Sequence, residues 1–209
     1  MNTKKLLIGA LLISNLGFVV GTNVLAAEQD SKKTDATFEI VTNPDGTIMI
    51  EANSLLFGPQ TISPRDVDAK ATNDLNIKVT EFSGWKPGWT LQVQMSKFKD
   101  GTSEAKDIKL FYPNVVPTTT TGGDANKHLP ISDGKDKGFI DENVKGTIVE
   151  DNNTPVTLAG AKAGNGYGEW TLAYGASADT NVQLRIPTGQ VVGNYKSTVT
   201  YTVRDTPIL

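Results

Sequence analysis

The sequence predicts an all-β protein: a single-domain antiparallel β-sandwich or barrel-like fold with long Thr/Gly-rich loops. Three observations carry this. Apolar and polar residues alternate at period two in several segments, the cleanest placing Trp89, Leu91, Val93 and Met95 on one face and Thr90, Gln92 and Gln94 on the other. Clusters of Gly, Pro, Asn and Asp punctuate these segments at short intervals. No segment holds a period of 3.6 over three turns. Roughly nine strands with turns between them suit a sandwich or a barrel. No fixed-period repeat argues for a propeller or solenoid.

The first 27 residues read as a secretory signal peptide. Lys4 and Lys5 precede a mostly apolar stretch from Leu6 to Val20, and Val24-Leu25-Ala26-Ala27 offers small residues for cleavage after Ala26 or Ala27. The apolar stretch is short for a membrane-spanning helix. Residues 28–36 are polar and form a flexible lead-in. Residues 37–209 form the β domain. The chain carries a net charge of −3, with two of its lysines in the leader. No basic patch suits nucleic acid or an anionic membrane. With no cysteine, disulfides, thiolate metal sites, a cysteine nucleophile and a lipidated cysteine are all excluded.

Phe38 and Ile40, then Ile48 and Ile50, flank the turn Asn43-Pro44-Asp45-Gly46 and predict a hairpin. Leu55-Leu56-Phe57 is an apolar knot closed by Gly58-Pro59. Leu75, Ile77 and Val79 alternate up to Phe82, and 83–88 turns the chain into the Trp89 strand. Ile108 to Tyr112 is a short strand ended by Pro113. Pro117 to Ser132 is rich in Thr and Gly and reads as a long mobile loop. Residues 147–149 and 156–158 are short strands, and Gly160 to Gly168 is a glycine-rich connection. Three strands close the chain: Trp170, Leu172, Tyr174; Val182, Leu184, Ile186; and Tyr195, Val199, Tyr201, Val203 with Thr198, Thr200 and Thr202 opposite.

Three of these strands put an aromatic residue two positions before an aliphatic one: Trp89/Leu91, Trp170/Leu172 and Tyr201/Val203. Each pair shares a strand face, and an aliphatic partner at i+2 marks that face as core. Trp85, set among Gly84, Lys86, Pro87 and Gly88, is the better candidate for an exposed indole.

Gly88-Trp89-Thr90-Leu91-Gln92-Val93 resembles the proximal motif of the WxL domain of Gram-positive surface proteins. That family's distal motif reads Tyr, three residues, an aliphatic, Thr, Trp, any residue, Leu, three residues, Pro. Here Tyr195, Val199, Thr200 and Pro207 match in register, while Tyr201 stands where Trp is usual and Val203 where Leu is usual. Trp170-Thr171-Leu172 is a further copy. The resemblance spans nearly all of the mature chain. It implies a non-catalytic protein secreted and then retained non-covalently at the cell wall, with peptidoglycan or an associated wall polymer as ligand. It also implies membership of a surface complex with a membrane-anchored companion protein and other WxL proteins. Nothing like Leu-Pro-x-Thr-Gly with an apolar tail precedes Leu209, in keeping with non-covalent retention. The alternative is an adhesin or assembly subunit that binds the companion or a host matrix protein.

A glycan contact needs an aromatic face with amides or hydroxyls beside it. Trp85, Gln92, Gln94 and Tyr167 are the candidates. A protein contact can use an exposed sheet edge, and the threonine face of 198–202 suits one. The rival reading is a secreted carbohydrate-active enzyme. His128 is the sole histidine, in a loop, and a serine triad needs it held by an acid such as Asp124 or Asp133. Asp141 and Glu142, adjacent in sequence, face opposite ways on any strand. Asp133, Asp136, Asp141 and Glu142 lack EF-hand spacing and read as a solvated acidic loop, leaving calcium binding open. Gly164 to Gly168 precedes a strand rather than a helix, so it is no phosphate loop. No cofactor or metal is expected, and no catalytic residue is assigned.

Overall fold

The structure is a computed structural model that describes residues 48–83, 88–121, 129–175 and 179–208. The signal peptide, the lead-in, the Phe38–Ile40 arm with its turn at 43–46, Trp85 and His128 lie outside the described residues. In chain order the strands are β1 (Met49–Ala52), β2 (Val67–Lys70), β3 (Leu75–Glu81), β4 (Trp89–Met95), β5 (Lys99–Asp100), β6 (Ser103–Glu104) and β7 (Lys109–Pro113). They continue with β8 (Thr118–Thr121), β9 (Asp136–Lys137), β10 (Lys145–Glu150), β11 (Val156–Ala161), β12 (Gly168–Tyr174), β13 (Gln183–Ile186) and β14 (Val199–Arg204).

These strands form open antiparallel sheets, and none closes into a barrel. One sheet runs β1-β3-β12-β8, a second β2-β13-β7-β10-β9 and a third β11-β4-β14, with β5-β6 a separate ribbon. The expected all-β class stands, and of its two forms the layered, sandwich-like one is realised. All three large sheets turn an apolar face into one core. That core joins Leu75, Ile77 and Val79 of β3, Trp89 to Met95 of β4, Leu110 and Tyr112 of β7, and Trp170, Leu172 and Tyr174 of β12.

Alternation dictates which residues enter it. In β4, Trp89, Leu91, Val93 and Met95 are buried while Gln92 and Gln94 are half-exposed. β14 alternates half-buried Val199, Tyr201 and Val203 with exposed Thr200, Thr202 and Arg204. In register, Leu91 lies opposite Val203, Val93 opposite Tyr201 and Met95 opposite Val199. β12 sets Trp170 opposite Val79 and Leu172 opposite Ile77. β11 meets β4 through a bulge between Thr157 and Ala159, which re-aims the strand at its midpoint.

The expected loop from Pro117 to Ser132 needs correcting. Thr118–Thr121 is the edge strand β8, paired with β12, and Ile131 bridges Gly160. Four β-branched residues in a row favour extended backbone even with no apolar alternation to announce it. The glycine-rich connection likewise starts later than expected, since β11 runs through Gly160 to Ala161.

Candidate functional site

The β3, β4 and β12 strands bring the two tryptophan motifs to the same end of the molecule. The indole N–H of Trp89 donates to the carbonyl of Gly166 at 3.0 Å. The indole N–H of Trp170 donates to the carbonyl of Tyr167, also at 3.0 Å. Two fully buried indoles thus hold consecutive carbonyls of one glycine-rich loop. Gly166 must be glycine twice over: its φ is +74°, and a Cβ there would collide with the Trp89 indole nitrogen and the Ala161 methyl group. Gly88, φ +76°, passes so close to the Ala161 and Lys162 backbone that it too has no room for a side chain.

The clamped loop presents Tyr167, half-buried, whose ring meets Phe82 edge-on with centroids 5.3 Å apart. Beside Phe82, Glu81 is fully buried at the end of β3. Its Oε1 accepts from the Ser83 amide at 2.8 Å and from the Ser83 hydroxyl, while its Oε2 has no hydrogen-bond partner among the described residues. Sequence reading missed Glu81, although its parity with Leu75, Ile77 and Val79 marked it as inward-facing.

The distal motif is fixed at several points. The Tyr195 hydroxyl donates to the Val191 carbonyl at 3.0 Å. The Tyr201 hydroxyl lies 2.9 Å from that of Tyr112, and the Tyr112 ring stacks edge-on against both Tyr174 and Tyr201. Three tyrosines from three sheets meet there. Burial pushes the Tyr112 and Tyr174 phenols up, and pushes Tyr201 up to about 12. Pro207 is exposed and bracketed by two bonds. The Thr90 hydroxyl donates to the Thr206 carbonyl at 2.7 Å, and the Ile208 amide to the Ala161 carbonyl at 3.3 Å. The last residues are thereby laid back across β4 and β11.

The outer face of the β11-β4-β14 sheet is built differently. Gln92 stands between Thr157 and Thr202 in the cross-strand register, and Gln94 stands beside Thr200. None of these five side chains has an intramolecular hydrogen-bond partner among the described residues. The outward residues of these strands are uncharged except Arg204 at one end. Such a surface offers amide and hydroxyl groups in a flat array and no ionic lattice. Of the four ligand candidates, Gln92 and Gln94 therefore lie together on this face. Tyr167 lies on the clamped loop, and Trp85 is outside the described residues.

The acidic loop uses its carboxylates internally. Asp136 Oδ2 accepts from the Ile148 amide at 2.8 Å, Glu142 pairs with Lys137 at 2.9 Å, Asp141 Oδ1 accepts from the Asn143 amide at 2.8 Å, and Asp133 pairs with Lys135. No cluster of three or more metal-ligating side chains occurs among the described residues. A second missed residue is Gln183, fully buried on the other face of β13, whose Oε1 accepts from the Phe139 and Ile140 amides at 2.8 and 2.9 Å. It ties the loop following β9 onto the second sheet.

The motif residues thus divide into a buried set that shapes the domain and an outward set free to bond elsewhere. Nothing among curated proteins or solved structures matches this chain. Residues 26–207 match the family model described as WxL domain, surface cell wall-binding, and the chain belongs to the WxL family of cell wall-binding surface domains.

Proposed function

We propose that this domain binds peptidoglycan non-covalently and without catalysis, and so retains its exported protein at the wall. We place the contact on the outer face of the β11-β4-β14 sheet. The observation that carries this reading is the pair of unpartnered amides, Gln92 and Gln94, set among Thr157, Thr200 and Thr202. A primary amide supplies two donors and an acceptor, and a hydroxyl supplies both. Together they match the hydroxyl and N-acetyl groups of a glycan strand. Neighbouring strands repeat at about 4.8 Å, giving the face a regular spacing along which a polymer can lie. An anionic polymer would call for a cationic surface, and this face carries one arginine at its margin.

The test is co-sedimentation of residues 28–209 with sacculi stripped of protein and, separately, of secondary wall polymers. The wild type is expected to pellet with bare peptidoglycan. Changing Gln92 and Gln94 together to Ala should weaken binding about tenfold, or ~1.4 kcal/mol. Stability should stay within about 0.5 kcal/mol, because both side chains are outward-facing. Unaltered binding by the double variant would remove the contact from this face. Binding that requires the secondary polymers would replace peptidoglycan as the ligand.

A further inference from the structure

The second sheet has an edge that stops short. β10 pairs with β7 along its length, from Gly146 opposite Pro113 to Glu150 opposite Lys109. On its other side β9 covers only Lys145 and Gly146. No strand continues β9 along Ile148 and Glu150 among the described residues. The Ile148 amide faces that open side, since it donates to the Asp136 carboxylate at 2.8 Å. Alternation along a strand turns the Ile148 carbonyl and the Glu150 amide and carbonyl the same way. A side-chain carboxylate thus stands where the carbonyl of a neighbouring strand would be.

The space beside this edge is concave. Two cavities of about 550 and 330 Å³ adjoin there, and Asp136 and Ile148 line both. Ile148 and Val156 give the smaller one an apolar floor, and Glu150 and Thr154 flank it. The turn beyond β10 is pinned, with the Asn153 amide donating to Met95 and the Thr154 amide to the Asn152 side chain. Two other edges are less open: Gly160 of β11 is bridged by Ile131, and β14 lies beside β1.

We propose that this edge is a docking slot for an extended segment of a partner protein, which adds to β10 as a strand. The added strand places a carbonyl on the Ile148 amide, displacing Asp136. Its residue two positions along pairs with Glu150, and an aliphatic or β-branched side chain sits on the Ile148–Val156 floor. Main-chain pairing supplies the affinity, and the floor selects the side chain. The slot is separate from the Gln92–Gln94 face, so its test does not depend on wall binding.

The probe is a synthetic peptide of alternating Val and Thr with a Lys at each end, titrated into isotope-labelled residues 28–209. Controls are the same peptide N-methylated at alternate residues and a soluble cross-linked stem peptide from peptidoglycan. The Val/Thr peptide is expected to slow exchange of the Glu150 amide about tenfold, and the N-methylated form is expected to leave it unchanged. Glu150→Pro should weaken binding about tenfold, because proline removes the outward N–H at an edge position where strands tolerate it. Glu150→Gln should bind as the wild type does. Slowed exchange at other edges only, equal protection by the N-methylated peptide, or no binding at about millimolar peptide would overturn the proposal. So would protection of Glu150 by the stem peptide alone. If Glu150→Pro does not fold, the exchange measurements on the wild-type chain decide.

Discussion

Trp89 and Trp170 differ from Tyr201 in their place within the sheets. β4 lies between β11 and β14, and β12 lies between β3 and β8, so both indoles sit on central strands. Each is fully buried, and each spends its N–H on the glycine-rich loop. Tyr201 sits on β14, the edge of its sheet, half-buried, and its hydroxyl meets Tyr112. A central, enclosed position with a defined acceptor specifies an indole. An edge position with a hydroxyl partner accepts a phenol. This explains how the distal motif carries Tyr201 and Val203 in place of the usual Trp and Leu without loss of the fold.

The largest effects should come from breaking the central pair. Trp89→Ala and Trp170→Ala each remove a fully buried indole, and Trp89→Ala also takes the indole donor from the buried Gly166 carbonyl, so each should cost about 3–5 kcal/mol. Thermal unfolding followed by circular dichroism measures this. Tyr201→Ala should cost clearly less than either. Equal losses at all three positions would erase the distinction between centre and edge.

The loop that the indoles hold gives the next test. Gly166→Ala forces a side chain into a positive-φ position already filled by the Trp89 indole and Ala161. It should destabilise the domain by more than about 1 kcal/mol. Trp89 and Trp170 fluorescence should shift as the loop moves off the indoles. A variant with wild-type stability and spectrum would show that the loop is not clamped.

The strands that carry this comparison were legible because alternation is a local signal. Trp89 to Met95, Leu75 to Val79 and Trp170 to Tyr174 declare their inner faces in sequence, and the structure buries those residues. The outward placement of Gln92 and Gln94 follows from the same period. The Trp89 acceptor was not legible, since Gly166 lies 77 residues away and only the sheet pairing brings them together. β8 escaped notice because four consecutive threonines have propensity but no alternation. Glu81 and Gln183 show the converse limit. The parity of Glu81 was readable, but a polar residue at an inward position signals burial only when its hydrogen-bond partners are known. Gln183 is opposite in parity to Val182 and Leu184, and only the packing of the 138–140 segment buries it.

The smallest effect isolates the tyrosine hydroxyls. Tyr201→Phe removes one side of the 2.9 Å contact and leaves the buried Tyr112 hydroxyl without that partner, so it should cost about 0.5–1.5 kcal/mol at neutral pH. Alkaline pH sharpens the contrast with the tryptophans, which do not titrate. The Tyr201 phenol ionises near 10 when exposed and is pushed up to about 12 by burial. The folded state therefore holds its proton more tightly than the unfolded state does. The associated stability is fully present below pH 10 and is lost as pH rises through 12. Melting temperature and phenolate absorbance between those limits should show a steeper fall for the wild type than for Tyr201→Phe. Tyr201→Trp, which restores the family's usual residue, should also flatten this fall, because an indole keeps an aromatic ring on the edge strand without a proton to lose. An alkaline profile unchanged in both variants would assign the loss to Tyr112 and Tyr174, the two phenols that burial raises on the central strands.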